Sequence, residues 1–334
     1  MKKNSKRILV LAFPVLAVAG ALCLILLKRP SYDITFFLTS DLHYGLSSTV
    51  AAANEATIDA MNFLPGTVYP EGIGGKVMAP RGVVVLGDLT NDGSGPEASG
   101  SWRAFAKDYG VSGEGRLKFP AYEGAGNHDG GEGEVVRRGI RDRNKLRPGL
   151  KSVSPNGVNY SWDWDKVHFV HLGLFTGSGG DDIVNQWGTD FTGTWRLPGH
   201  SLEFLKDDLA KNVGKGGRPV VLFQHYGWDE WGLGWWSEDE RRAFQEAIKG
   251  YNVIGVFWGH THVFQSMNWG TVPTWCVGTG QRDPEPGEFV AVRIRPKEVS
   301  VVERKAGGQG SWGRWTRVLI NTRCPEVPRG HFPF

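Results

Sequence analysis

Gly82-Val83-Val84-Val85-Leu86-Gly87-Asp88 is an uninterrupted apolar run that stops on a glycine and a carboxylate. Short runs of β-branched and aliphatic residues without polar alternation read as strands buried on both faces, as in a sheet covered by helices. Three more runs have this form and also end on polar groups. Ile34-Thr35-Phe36-Phe37-Leu38 leads to Asp41-Leu42-His43, Val220-Val221-Leu222-Phe223 leads to His225, and Ile254-Gly255-Val256-Phe257-Trp258 leads to Gly259-His260-Thr261-His262. A fifth group, Gly126-Asn127-His128-Asp129, stands among them. In α/β sheets the loops at strand ends converge on ligands, so these segments predict one shared site.

The donors are carboxylates, one amide oxygen and imidazoles, with no thiolate. That mixture suits Zn, Mn, Fe or Ni without choosing among them. Hydrolysis of a phosphoester needs a nucleophile stronger than water at neutral pH and positive charge near the phosphoryl oxygens. Two divalent ions roughly 3.5–4 Å apart supply both, by sharing a hydroxide of lowered pKa and clamping the attacking and leaving oxygens. Asp88 is the candidate bridge, because Gly87 lets the backbone approach the ions closely. Asp41 and His43, two apart on a chain that reads as extended, are expected to point the same way and serve one ion. The same spacing applies to His260 and His262, although loop geometry there can aim them at different ions. Asn127 offers a neutral oxygen and His225 an imidazole. Singly, a Gly-Asp or a Gly-Asn-His-Asp is more often only a turn. Five such groups in one order carry the metal reading. His168, His171, His200 and His331 are expected to be structural.

The order D-x-H, G-D, G-N-H-[DE], an isolated His and G-H-x-H resembles the calcineurin-like metallophosphoesterases over residues 33–305. Tyr160-Ser161-Trp162-Asp163 leading into Val167-His168-Phe169-Val170, and the segment around Leu202-Glu203-Phe204-Leu205, add to the likeness. The resemblance implies an α/β fold, a two-sheet α/β sandwich flanked by helices. It implies two divalent metal ions, Asp41, His43, Asp88 and His262 holding one while Asp88, Asn127, His225 and His260 hold the other. His128 is then expected to stabilise or protonate the leaving oxygen, with Asp129 orienting its ring. Purple acid phosphatases, an offshoot of this group, carry a tyrosine three residues after the bridging aspartate and lack the first-block histidine. Here Asn91 occupies that position and His43 is present, which disfavours a tyrosinate-bound ferric ion. The implied activity is hydrolysis of a phosphomonoester or phosphodiester substrate, with direct attack on phosphorus and no covalent phosphoenzyme. The alternative is a noncatalytic scaffold of the same fold that binds a partner protein, although no implied ligand is missing.

Ahead of these groups, Met1-Lys2-Lys3-Asn4-Ser5-Lys6-Arg7 precedes an uncharged stretch, Ile8 to Leu27, followed by Lys28-Arg29-Pro30. Twenty uncharged residues at about 1.5 Å each are long enough for a hydrocarbon core of about 30 Å. This reads as a transmembrane signal anchor that puts the following domain outside the cytoplasm, because four basic residues precede the stretch and two follow it. Cleavage after Ala17-Val18-Ala19, giving a secreted or periplasmic protein, is the rival. The expected organisation is residues 1–7 as a cytoplasmic basic segment, 8–27 as the anchor, 28–32 as a linker, 33–305 as the catalytic domain and 306–334 as a C-terminal extension. From residue 31 onward the chain has 32 basic against 35 acidic residues, so no basic field argues for nucleic-acid binding.

Helices are expected near 47–62, 101–108, 201–212 and 237–249. Cys276 and Cys324 are free to pair in an oxidising exterior, or Cys276 is a buried thiol. Four tryptophans crowd Trp228-Asp229-Glu230-Trp231-Gly232-Leu233-Gly234-Trp235-Trp236. They read equally as a small core beneath a loop or a wall for the substrate, and with less weight as a contact with the lipid interface.

Overall fold

The computed structural model describes residues 32–131, 133–179 and 196–320. The proposed anchor, His331 and Cys324 lie outside the described residues. Among the described residues no helix is long and apolar enough to cross a membrane.

The strands are β1 (Ile34–Thr39), β2 (Val83–Val85), β3 (Ala121–Glu123), β4 (Leu150–Val153), β5 (Tyr160–Trp164), β6 (Val167–His171), β7 (Val220–Phe223) and β8 (Val253–Trp258). They continue as β9 (Gln265–Trp269), β10 (Val272–Cys276), β11 (Gln281–Arg282), β12 (Glu285–Pro286), β13 (Glu288–Arg295), β14 (Glu298–Lys305) and β15 (Ser311–Leu319). The helices are α1 (Ser48–Phe63), α2 (Ala98–Asp108), α3 (Val135–Leu146), α4 (Ser201–Asn212), α5 (Glu230–Trp235) and α6 (Glu238–Ile248). One sheet has the order β15-β14-β13-β1-β2-β3, the other β4-β5-β6-β7-β8-β10-β9, and β11 pairs only with β12. In the first sheet β1, β2 and β3 run parallel; in the second β6, β7, β8 and β10 do. The proposed C-terminal extension thus begins with an edge strand of the first sheet, antiparallel to β14.

Residue parity explains why the runs lack polar alternation. Phe36, Leu38, Val84 and Leu86 face the second sheet and meet Trp162, Phe169, Phe223 and Phe257 in a dry layer. Their neighbours Phe37, Val83 and Val85 face the other way, onto Ile58 and Met61 of α1, Phe105 of α2 and Ile140 of α3. On the far side of the second sheet Val220, Leu222 and Val256 pack on Leu205 and Leu209 of α4 and Phe244 and Ile248 of α6. The result is a sandwich of two mixed sheets with helices outside. Each fully buried aliphatic or aromatic side chain contributes about 1.5–3 kcal/mol, so the inner strands β1, β2, β7 and β8 are fixed from both faces.

Local signals set the helix starts. The Ser47 side chain accepts the Val50 amide at 3.0 Å, and Ser237 with Glu240 forms a complete capping box. Asp229 caps α5 by accepting the Gly232 amide at 2.8 Å. Helix α3 is unexpected from sequence, because its buried face mixes Val136 and Ile140 with Arg137, Arg143 and Asn144. Arg143 Nε donates to Glu123 Oε1 at 2.7 Å, and Arg147, just past the helix, also pairs with Glu123. Burial alone would raise the Glu123 carboxyl, but the two guanidiniums bring it down to about 2.

Of the four tryptophans, Trp228 and Trp236 form part of a small core. Trp236 is fully buried and its indole N–H donates to the Thr176 carbonyl at 2.9 Å, while Trp228 lies 5.3 Å from it and 4.9 Å from Trp269, ring centre to ring centre. Cys276 is a buried thiol 3.0 Å from the Thr261 hydroxyl.

Candidate metal centre

All five segments follow the C-terminal ends of parallel strands, β1, β2 and β3 of the first sheet and β7 and β8 of the second. Asp41 and His43 follow β1, Asp88 follows β2 and Asn127 follows β3; from the second sheet His225 follows β7, and His260 and His262 follow β8. Their ligand atoms fall into three overlapping groups, Asp41–His43–His262, His43–Asp88–His128 and Asp88–His225–His260, with the atoms of each group within 4.8 Å of one another. Asp88 and His43 each belong to two groups, and Asp88 Oδ2 reaches the first group through His43 Nε2 at 3.9 Å. Asn127 Oδ1 joins the third group through His225 Nε2, at 3.0 Å.

The backbone at the site differs from the expectation. Asp41, His43, Asp88, His260 and His262 all have positive φ, between 47 and 75°. Side chains there do not follow the period of two used above for Asp41 and His43. Both still reach the same group. His260 and His262 part, His260 joining Asp88 and His225 and His262 joining Asp41 and His43. Left-handed backbone at a residue other than glycine costs about 1–3 kcal/mol and concentrates where function requires it. Close approach does the rest: a Cβ on Gly87 would lie 2.7 Å from both the Gly126 amide nitrogen and His225 Nδ1.

The donor set fits cations. His225 Nδ1 gives its hydrogen to the Leu86 carbonyl at 2.8 Å, which turns Nε2 toward Asn127 Oδ1 and Asp88 Oδ2, the latter at 3.4 Å. A lone pair facing two oxygens is repulsive unless a positive charge lies between them, either a proton or a metal ion. Burial disfavours the charged imidazole, yet Asp88 and Asp41 outweigh it and push His225 up to about 9. Conversely, burial would raise Asp88, but His225, His128 and His43 hold its carboxyl well below the usual range. In the first group His43 Nε2 and His262 Nε2 are 3.3 Å apart, and the buried Asp41 Oδ1 lacks a well-formed hydrogen bond, with His262 Nε2 at 3.4 Å.

Asp129 takes a different place from the one expected. Its two oxygens accept the backbone amides of Leu89, Thr90 and Gly126, at 3.1, 2.9 and 2.8 Å. It therefore ties the Asp88 loop to the Asn127 loop. The His128 ring is fixed instead by Nδ1 against the Asn91 carbonyl at 2.8 Å, and the His128 amide donates to Asp88 Oδ1 at 2.9 Å. Asn91, which stands where the purple acid phosphatases carry a tyrosine, is thus the orienting partner through its backbone carbonyl. Burial and the charge of Asp88 push Asp129 up to about 6. The remaining described histidines lie elsewhere. His168 sits between Asp163 and Asp208 at 2.8 and 2.6 Å, His171 Nε2 meets the Val85 carbonyl at 3.2 Å, and exposed His200 precedes α4.

Solved structures share this fold at low identity. A dimetal phosphatase from Danio rerio superposes with a TM-score of 0.58 at 12% identity, covering 86% of this chain and 99% of its own. GAP50, described as the anchor in the inner membrane complex of Plasmodium, gives 0.54 at 11% identity, covering 90% of this chain and 98% of its own. No curated protein matches the sequence. The sequence profile of the calcineurin-like phosphoesterases matches residues 34–264, a span that includes every one of the five segments. With its two sheets, its strand-end loops and that match, the chain belongs to the calcineurin-like phosphoesterase family.

Proposed function

We propose that the protein hydrolyses phosphomonoesters or phosphodiesters at a dinuclear metal centre. The observation that carries this reading is the place of Asp88 between the two sets of donors, with Oδ2 at 3.9 Å from His43 Nε2 on one side and 3.4 Å from His225 Nε2 on the other. Asp41, His43, Asp88 and His262 would hold one ion, and Asp88, Asn127, His225 and His260 the other. When bound, two divalent ions supply Lewis-acid charge at the phosphoryl oxygens and a nucleophile stronger than water at neutral pH. The chain's own contribution is orientation. The Leu86 carbonyl fixes the His225 tautomer, and the Asn91 carbonyl leaves Nε2 of His128 as the atom that gives a proton to the leaving oxygen. Asp129 keeps the two loops that carry Asp88 and His128 in register.

Residues 8–27 are proposed to anchor the protein in a membrane, with the domain outside the cytoplasm; the charge asymmetry around the apolar stretch supports this over cleavage. The partner-binding reading draws support from the likeness to a protein described as an anchor. The complete set of metal donors favours chemistry over that reading.

The test is nitrophenol release from p-nitrophenyl phosphate and bis-p-nitrophenyl phosphate by the full chain, with Mn, Zn, Ni or Fe restored after chelation. Metal-dependent turnover that is lost in His128→Ala is expected. Absence of turnover on both esters with two ions bound would favour the partner-binding reading.

A further inference from the structure

Val277-Gly278-Thr279-Gly280-Gln281-Arg282 runs from the end of β10 into β11 and contributes none of the donors described above. It nevertheless reaches the backbone of two of them. The Gly280 amide donates to the Ser40 carbonyl at 2.9 Å, the Thr279 hydroxyl to the Asp41 carbonyl at 2.7 Å, and Arg282 Nη2 to the His262 carbonyl at 3.1 Å. Arg282 Nη2 also lies 3.5 Å from Glu288 Oε2, and the other Glu288 oxygen accepts the Phe264 amide at 3.2 Å. Only a glycine at 278 leaves space for that carboxylate, since a Cβ there would lie 1.8 Å from Glu288 Oε1.

The two carbonyls held in this way belong to residues of one ligand group. Asp41 and His262 both have left-handed backbone, with φ of 55 and 61°, and they belong to the group completed by His43. A residue in that conformation leaves the strand ladder, so its carbonyl needs a partner from elsewhere and its peptide plane sets the side-chain direction. Thr279 supplies the partner for Asp41, and Arg282 for His262. Neither side chain touches the second group, Asp88–His225–His260: the Leu86 carbonyl holds His225, Asp88 Oδ1 accepts the His128 amide, and the His260 amide donates to Asp41 Oδ2 at 3.0 Å.

We propose that Thr279 and Arg282 are positioning residues that set the metal affinity of the Asp41–His43–His262 position independently of the neighbouring one. The inference rests on the dinuclear reading. Neither side chain is placed on the reacting atoms; both act through the peptides of ligands, as outer-shell partners do, and such partners are worth roughly 10–100-fold in affinity.

The experiment is calorimetric titration of the chelator-stripped full chain with Mn2+, alongside a thermal melt. In Arg282→Ala and in Thr279→Val, one of the two binding events is expected to weaken roughly 10–100-fold while the other keeps its wild-type affinity. Arg282→Lys and Thr279→Ser, which retain a donor, are expected to recover most of the loss. If Arg282→Ala does not fold, Thr279→Val with its serine rescue decides alone. Two wild-type affinities in the Ala and Val variants overturn the proposal, as does equal weakening of both events. A wild-type chain that binds fewer than two ions overturns it together with the dinuclear reading. A wild-type chain that binds two ions yet cleaves neither nitrophenyl ester counts against the hydrolase alone, and the titration still decides the role of Thr279 and Arg282.

Discussion

Asp88 concentrates the demands of the site in one side chain. Its Oδ1 accepts the His128 amide at 2.9 Å, its Oδ2 faces His225 at 3.4 Å and His43 at 3.9 Å, and its backbone holds a φ of 49°. Asp88→Asn keeps the shape but removes the charge that offsets the surrounding imidazoles and that two cations would share. Turnover in that variant is expected to fall to background, with bound metal dropping from two ions toward one by elemental analysis. Near-normal turnover would remove Asp88 from the bridge. The identities of these donors were legible in the sequence because all but the Asn127-His128 pair follow an apolar run, and that pair stands in order among them. Their conformations were not. Alternation along a strand gives no sign that Asp41, His43, Asp88, His260 and His262 are left-handed, since that backbone is imposed by contacts from distant segments such as Thr279 and Arg282. Those two residues escaped notice for the same reason: they act through backbone carbonyls, which no donor motif records.

Among the elements, four of the six described helices begin or end close to their expected positions, because each carries apolar residues at helical spacing or a cap. Helix α3 lacks that pattern. It is held by a buried ionic network in which Arg143 and Arg147 converge on Glu123 at the end of β3, just ahead of the Asn127 loop. Removing one partner of such a network leaves the others buried without compensation, so Glu123→Gln is expected to destabilise the protein by about 3–5 kcal/mol at pH 7, read from urea unfolding. The sign of the pH dependence follows from a folded carboxyl held at about 2 against an ordinary 4.5. Stabilisation by Glu123 is complete above the ordinary value and is lost as pH falls toward the folded one. The gap between wild type and variant should therefore close between about pH 4.5 and 2. A gap that stays constant through that window would mean the network does not hold α3 electrostatically.

At the scale of the whole molecule, the centre straddles both sheets. Asp41, His43, Asp88 and Asn127 descend from strands of the first sheet, and His225, His260 and His262 from the second. Sheet order could not be read from the sequence, so this division was hidden even though each donor was visible. It has a mechanical consequence: an ion held by Asp41 and His262, or by Asp88 and His225, adds to the ties between strand ends that meet through the apolar layer around Phe36, Phe223 and Phe257 and through hydrogen bonds such as His225 to the Leu86 carbonyl and the His260 amide to Asp41. Binding to the folded state alone stabilises it by about 2.7 kcal/mol at a hundredfold excess over Kd. In a chain of this size that is worth roughly 5 °C in Tm. Chelation is therefore expected to lower Tm by about that amount and Mn2+ to restore it, with hydrogen exchange speeding up at the C-terminal ends of β1, β2, β7 and β8 before the rest of either sheet. Equal protection at those ends with and without chelator would show that no ion bridges the sheets, and the donors would then have to be explained by one sheet at a time.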